Sequence, residues 1–305
     1  MIIVNGYMPT YTSFPNGELN VSMDASAIEE AIESQKLEVT WRFKDNNDFI
    51  KLGILISYLE SFKKLDTVFI YFNILYLPYE RMDRPEIGSH NSFSLSVVNN
   101  MLHALGGAII YKIIEPHSDT IFYINDSYDG GKYFDDDGKC FSQSIYPSVQ
   151  KTKELLSGFS SGNRHNLLVF PDKGALARYK KFNFYNCDIV VGHKTRDLNT
   201  HKITDIYVTN LQDERVDDLS KYDQAIIIDD LVSYGGTFTR LGKLLKDDGV
   251  PKVILVVCHA EDSIFKGYLL TNSSPIDCVW ATETMTNLTS KALYNKKLNV
   301  YSFLI

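Results

Sequence analysis

Two adjacent carboxylates, Asp229 and Asp230, run into the short turn Ser233-Tyr234-Gly235-Gly236-Thr237, a combination suited to holding a phosphorylated polyol. Neighbouring carboxylates can accept hydrogen bonds from vicinal hydroxyls or face a magnesium ion, and a glycine turn offers bare backbone N–H groups to a phosphate. Gly235 and Gly236 let the backbone approach, and the hydroxyls of Ser233 and Thr237 add donors. The apolar run Ala225–Ile228 before the pair reads as an interior parallel strand, and Phe238, Leu241, Leu244 and Leu245 after it carry helical spacing. The turn is thereby placed at a strand's carboxyl end, where open α/β sheets bind ligands. The structural alternative is a helix cap beside a solvated acidic pair, because Asp, Ser and Thr favour helix starts anyway.

Other polar groups also follow predicted strands. Val68–Leu77 reads as a strand delivering Pro78-Tyr79-Glu80-Arg81-Met82-Asp83-Arg84, and Ala108–Ile114 as one delivering Glu115-Pro116-His117-Ser118-Asp119. Arginine is suited to bidentate phosphate contact, although charge clusters are often plain surface ion pairs, and a single His after a strand is often only a hydrogen-bonded loop residue. Leu167–Val169 leads into Pro171-Asp172, which on its own is an ordinary helix-starting turn, with Arg178 on the following helix. Between the strands Asp188–Val191 and Asp205–Val208, a polar stretch holding Lys194 and Arg196 reads as a long flexible loop. Such loops often serve as lids over a site.

The elements that must position these groups alternate. Val39–Phe43 reads as a strand, Asp48–Leu59 as an amphipathic helix and Ser94–Leu105 as a further helix ending at Gly106-Gly107. Asn125–Ser144 lacks periodicity and reads as loop, so a domain boundary is expected near Ile145, before a helix over Ser148–Leu156. Val253–Cys258 and Cys278–Ala281 read as strands, as does the tail from Leu298, and His259 reads as a structural residue. This rhythm predicts an α/β fold with parallel sheets.

With 305 residues, 44% hydrophobic and 23% charged, the chain reads as globular and long enough for two domains. A net charge of −7 argues against a nucleic-acid partner, so any phosphate site must be local. Cys140, Cys187, Cys258 and Cys278 have neither disulfide-framework nor zinc spacing, which fits the reducing cytoplasm, and no stretch is long and apolar enough for a membrane.

Taken together, these strings resemble the ribose-phosphate diphosphokinases, or phosphoribosyl diphosphate (PRPP) synthetases, of the type I phosphoribosyltransferase fold. Six motifs occur in the family's order. Phe14-Pro15-Asn16-Gly17-Glu18 is similar to the family's Phe-x-Asp-Gly-Glu hairpin, which implies that Phe14, Asn16 and Glu18 bind adenine in a neighbouring subunit's site. Arg81 and Asp83 are implied in ATP binding, and His117 and Asp172 in holding magnesium. Lys194 and Arg196 match the catalytic Lys-x-Arg, and Asp229, Asp230 and Ser233 to Thr237 match the ribose-phosphate motif.

The resemblance implies two similar domains, 1–145 on the ATP and adenine side and 146–305 carrying the ribose-phosphate loop, each a mainly parallel sheet flanked by helices. It implies Mg2+-dependent transfer of the ATP diphosphate to a ribose C1 hydroxyl with AMP release, in a dimeric or hexameric homo-oligomer that shares its ATP site between subunits. The acceptor expected is ribose 5-phosphate, giving PRPP, or a 5′-extended form such as ADP-ribose, feeding NAD synthesis. The alternatives are a PRPP-using phosphoribosyltransferase and a non-catalytic regulatory homologue. The sequence departs from the family at Asn16, which replaces Asp, at Met82, which replaces Gln, and at Pro116. It departs further at Ser233-Tyr234, which replace Asp-Thr, and lacks the helix usually placed between the first strand and the hairpin.

Overall fold

The alternation of Lys36-Leu37-Glu38-Val39-Thr40-Trp41 sends Leu37, Val39 and Trp41 into a core and leaves Glu38 and Thr40 on the opposite face, as a half-buried strand requires. In the computed structural model, which describes residues 1–62, 69–84, 93–104, 109–123, 142–158, 165–196 and 203–305, this segment belongs to the first of two compact units. That unit spans Met1–Ile145 together with Ile305, and the second spans Tyr146–Leu304. The expectations for Gly106-Gly107, for Cys140 and for loop over 125–141 lie outside the described residues.

The first unit runs β1 (Ile2–Val4), β2 (Thr10–Ser13), β3 (Leu19–Ser22), α1 (Ala25–Ser34), β4 (Lys36–Trp41), α2 (Asn47–Glu60), β5 (Phe69–Ile74), α3 (Ser94–His103), β6 (Ile109–Ile114), α4 (Thr120–Tyr123) and β7 (Ser142–Ile145). Its sheet has the order β1-β4-β5-β6-β7, antiparallel only between β1 and β4. Leu52, Leu55, Ile56 and Leu59 of α2 recur at helical spacing and close over Trp41 and Phe72. Residues 142–144 correct the expectation of loop, because together with Ile145 they form β7, a parallel edge strand beside β6. The polar Ser-Gln-Ser hid that strand, since an edge strand needs little apolar sequence.

The second unit runs α5 (Pro147–Ser157), β8 (Asn166–Phe170), α6 (Lys173–Tyr179), β9 (Cys187–Arg196), β10 (Ile203–Thr209), β11 (Gln224–Val232), α7 (Gly236–Asp247), β12 (Val253–Ala260), β13 (Cys278–Ala281), α8 (Thr289–Ala292) and β14 (Leu298–Val300). Its sheet order is β10-β9-β8-β11-β12-β13-β14, with β10 alone antiparallel to its neighbour. Central β11 is covered on both faces: Ile227 packs in the core that takes Phe238, Leu241 and Leu245 of α7, and Ile228 in the one holding Val149 of α5 and Tyr179 of α6. A strand buried on two faces loses alternation and reads as a continuous apolar run, which is what Ala225–Ile228 shows. His259, expected to be structural, is fully buried on β12, its Nδ1 2.8 Å from Thr284 Oγ1. Among the described residues no helix is long and apolar enough to cross a membrane.

Candidate active site

In the second unit the candidate residues lie at or near strand ends. Asp229 and Asp230 lie within β11 rather than after it, and the strand continues to Val232 before the chain turns. Gly235 makes that turn at φ 77°, a left-handed conformation that side chains with a Cβ adopt at a cost, and α7 starts at Gly236 without a side-chain cap. Its first N–H groups have no partner within the helix, Ser233 and Thr237 adjoin them in the chain, and Tyr234 stands 59% exposed on the turn. The turn leans on the segment that follows β12. A Cβ on Gly267 would sit 2.1 Å from the Tyr234 carbonyl oxygen, and one on Gly235 would meet Leu269 at 2.8 Å.

That contact predicts the effect of one methyl group. Gly267→Ala should push the turn outward and destabilise the fold by about 1–3 kcal/mol, as overpacking does. It should also raise the KM for a ribose phosphate about tenfold, equivalent to ~1.4 kcal/mol. Kinetics and melting curves of the variant check both, and an unchanged KM would show that the turn does not hold the phosphate.

Asp172 caps α6, its Oδ1 accepting from Gly174 N at 3.0 Å and Ala175 N at 3.1 Å, while its Oδ2 lies 3.7 Å from Lys194 Nζ. Gly192 on β9 permits this approach, since a Cβ there would stand 2.6 Å from Pro171 O. Lys194 and Arg196 are not in a loop: they end β9, which pairs antiparallel with β10 from Thr209↔Val191 to Ile203↔Arg196. Cross-strand pairing decided this, with the His193 ring stacked on Tyr207 at 5.0 Å and its Nε2 2.9 Å from Thr209 Oγ1. Only 197–202 remain of the expected loop, and they lie outside the described residues.

Arg178 of α6 reaches β11, with its Nη1 2.9 Å from Asp229 Oδ1 and 2.8 Å from Asp230 Oδ1. Burial, then the adjacent Asp230 carboxylate, push Asp229 well above the usual carboxylate range, with Arg178 pulling the other way and Asp172 adding to the rise. Burial works against charge on Arg178, yet Asp230, Tyr179 and Asp229 carry its pKa upward, so it stays a cation. Two groups, Asp172 with Lys194 and Arg178 with Asp229 and Asp230, thus lie on α6 and neighbouring strands of one sheet. Sequence reasoning placed Arg178 on this helix and assigned it no function.

In the first unit, the segments after β5 and β6 meet. The buried Glu80 carboxylate accepts from His117 N at 3.1 Å, and Thr120 Oγ1 lies 3.5 Å from Asp83 Oδ2. Tyr79 and Glu115 hold φ of 65° and 44°, so the backbone of both segments is strained where Arg81 and His117 are presented. Arg81 is exposed, and Arg84 Nε lies 3.7 Å from Asp83 Oδ1. Phe14, Asn16 and Glu18 sit apart from this group, on the exposed tip of the separate β2–β3 hairpin. Gly17 turns the tip at φ 91° and Asn16 Oδ1 accepts from Glu18 N at 3.1 Å, so the Asn that replaces Asp still builds the turn. Residues 5–9 between β1 and β2 form no helix, in keeping with the shortened start read from the sequence.

Among the described residues no three His, Cys, Asp or Glu side chains cluster as a metal site. The donors present are nonetheless hard carboxylate oxygens, and magnesium commonly takes one or two of these and draws its other ligands from substrate phosphates and water. The residues therefore fit magnesium carried in with a nucleotide better than a resident metal cage.

Two mainly parallel α/β sheets of this order match the fold of a solved PRPP synthetase. The solved PRPP synthetase from Mycobacterium smegmatis superposes with a TM-score of 0.64, covering 97% of this chain and 86% of that one at 19% identity. No family model matches the chain. Curated relatives do: it is 28% identical over 249 residues to the ribose-phosphate pyrophosphokinase of Sulfolobus acidocaldarius, covering 81% of this chain and 74% of that protein. The enzyme of the same name from Sulfurisphaera tokodaii is 27% identical over 250 residues, and that from Pyrococcus abyssi 25% over 248. The fold read from the motifs is thus shared with a solved synthetase, and sequence similarity to ribose-phosphate pyrophosphokinases extends over about four-fifths of the chain.

Proposed function

We propose that this protein is an ATP-dependent diphosphokinase that moves the β,γ-diphosphoryl group of ATP to the C1 hydroxyl of a ribose 5-phosphate unit. The observation that carries the reading is the group formed by Asp229-Asp230, the uncapped glycine turn and the Asp172–Lys194 pair on one sheet end. The similarity to ribose-phosphate pyrophosphokinases over four-fifths of the chain supports it. Asp229 and Asp230 receive the ribose hydroxyls, and the turn from Ser233 to Thr237 takes the 5′-phosphate. The C1 oxygen bonds to the β-phosphorus while the bond from that phosphorus to the α,β-bridging oxygen breaks. AMP leaves with the bridging oxygen, and the hydroxyl proton passes to solvent. Lys194 and Arg196 steady the charge on the moving diphosphoryl oxygens.

Residues 1–145 form the ATP and adenine side, with Arg81, Asp83 and His117 on the nucleotide, and 146–305 form the sugar side. Asp172 would meet magnesium brought in with the nucleotide, which would neutralise phosphoryl charge, and His117 is proposed separately as a magnesium-ATP contact of the first unit. The half-exposed ring of Phe14, with Asn16 and Glu18, stacks on adenine in a neighbouring subunit's site, which makes the working form a dimer or a hexamer in the cytoplasm.

Tyr234 refines the acceptor. A small residue would leave the mouth of the phosphate turn open to a terminal phosphate alone, whereas an exposed ring offers a stacking face to an extended acceptor such as ADP-ribose, whose product would feed NAD synthesis. The test is AMP release from magnesium-ATP with ribose 5-phosphate and with ADP-ribose side by side. Release with either supports diphosphoryl transfer. Tyr234→Thr is expected to lower kcat/KM for ADP-ribose about tenfold, the scale of one lost aromatic contact, and to spare ribose 5-phosphate. No turnover of ADP-ribose by the parent chain would remove the extended acceptor.

A further inference from the structure

Arg178 takes no direct part in the chemistry above, yet its side chain is only 5% exposed and it engages both members of the carboxylate pair. Successive residues of a strand send their side chains to opposite faces, and two adjacent carboxylates repel. Asp229 and Asp230 nevertheless bring their Oδ1 atoms to one guanidinium nitrogen, at 2.9 and 2.8 Å, and the backbone N–H of Asp230 donates to the same Asp229 Oδ1 at 3.0 Å. A buried ion pair is a weak device for stability, so orientation is the better account of what this cation does. Arginine suits the task because its planar, permanently charged fork fixes geometry where an ammonium offers a point charge.

We propose that Arg178 is a positioning residue for the acceptor sugar: by gathering Asp229 and Asp230 onto one cation it sets both carboxylates to meet the two hydroxyls of a ribose diol. The inference rests on the ribose-phosphate reading of this site and adds the group that aligns it. It also links α6, whose first turn is capped by Asp172, to the central strand, so one helix carries both Asp172 and the cation that holds the carboxylate pair.

Calorimetric titration with ribose 5-phosphate, 2-deoxyribose 5-phosphate and magnesium-ATP separates this role from a purely structural one. The parent chain should prefer the intact diol by about tenfold or more, the scale of a hydrogen bond to a charged group. Arg178→Met should lose that preference and bind ribose 5-phosphate about tenfold to a hundredfold more weakly, with ATP affinity held within about twofold. Arg178→Lys should fall between the two, and it decides the matter if the Met variant gives no cooperative melting transition. A diol preference undiminished in the Met variant, or in the Lys variant where the Met variant does not fold, overturns the proposal, and so does an equal loss of affinity for sugar and nucleotide. If the parent binds ribose 5-phosphate but releases no AMP with either ribose 5-phosphate or ADP-ribose, the diphosphokinase reading falls and the positioning role stands on the binding data. If the parent binds no ribose phosphate, both fall.

Discussion

Lys194→Ala is expected to lower kcat by about a hundredfold or more while the KM for the sugar changes by less than about threefold, because the ammonium serves charge that develops on the diphosphoryl group rather than binding in the ground state. The side chain is already at the site: it is 33% exposed, stands on the paired end of β9 and lies 3.7 Å from Asp172 Oδ2. Loss of an ion pair this open should cost about 0–1 kcal/mol of stability, so the fall in turnover will not reflect unfolding. Lys194→Arg should recover part of the rate, limited by the different reach of the guanidinium. Steady-state kinetics with a melting curve for each variant is the check, and turnover at the parent level in the Ala variant would strike Lys194 from the mechanism.

The second large effect separates function from stability. Asp229→Asn should weaken ribose 5-phosphate binding about tenfold to a hundredfold, since a charge-assisted hydrogen bond to the diol becomes a neutral one. The same change should make the fold more stable at neutral pH. Burial and the Asp230 charge raise the Asp229 pKa in the folded chain above its unfolded value of about 4. A carboxylate raised in this way contributes stability that is fully present below the unfolded pKa and is lost as pH rises through the folded one. The Tm advantage of the Asn variant should therefore be absent near pH 4 and grow as pH increases above it. A constant difference across that range, or a variant that melts lower throughout, would mean that Arg178 fully compensates the burial of this carboxylate.

How legible the protein was depends on what a residue's surroundings contribute. The β11 strand, the α7 helix and the glycine turn were readable because their signals are local: an apolar run, 3.6-residue spacing and two glycines. The hairpin holding Phe14, Asn16 and Glu18 was readable for the same reason. The strand under Lys194 was not, since His193-Lys194-Thr195-Arg196 is polar and becomes a strand only through antiparallel pairing with β10. Arg178 was visible as a residue but not as a partner, because its contacts with Asp229 and Asp230 join positions 51 and 52 residues apart. Gly267 carries no sequence signal either. Its importance comes from Tyr234, whose carbonyl packs against it across the fold.

The most direct test of the whole account is the fate of the β-phosphoryl group. The purified chain is incubated with magnesium, ribose 5-phosphate or ADP-ribose, and ATP labelled at the β-phosphorus. The account predicts that the label moves to the sugar in step with the appearance of AMP. Label retained in ADP, with only the γ-phosphoryl transferred, or no acceptor-dependent AMP with either sugar, would contradict it.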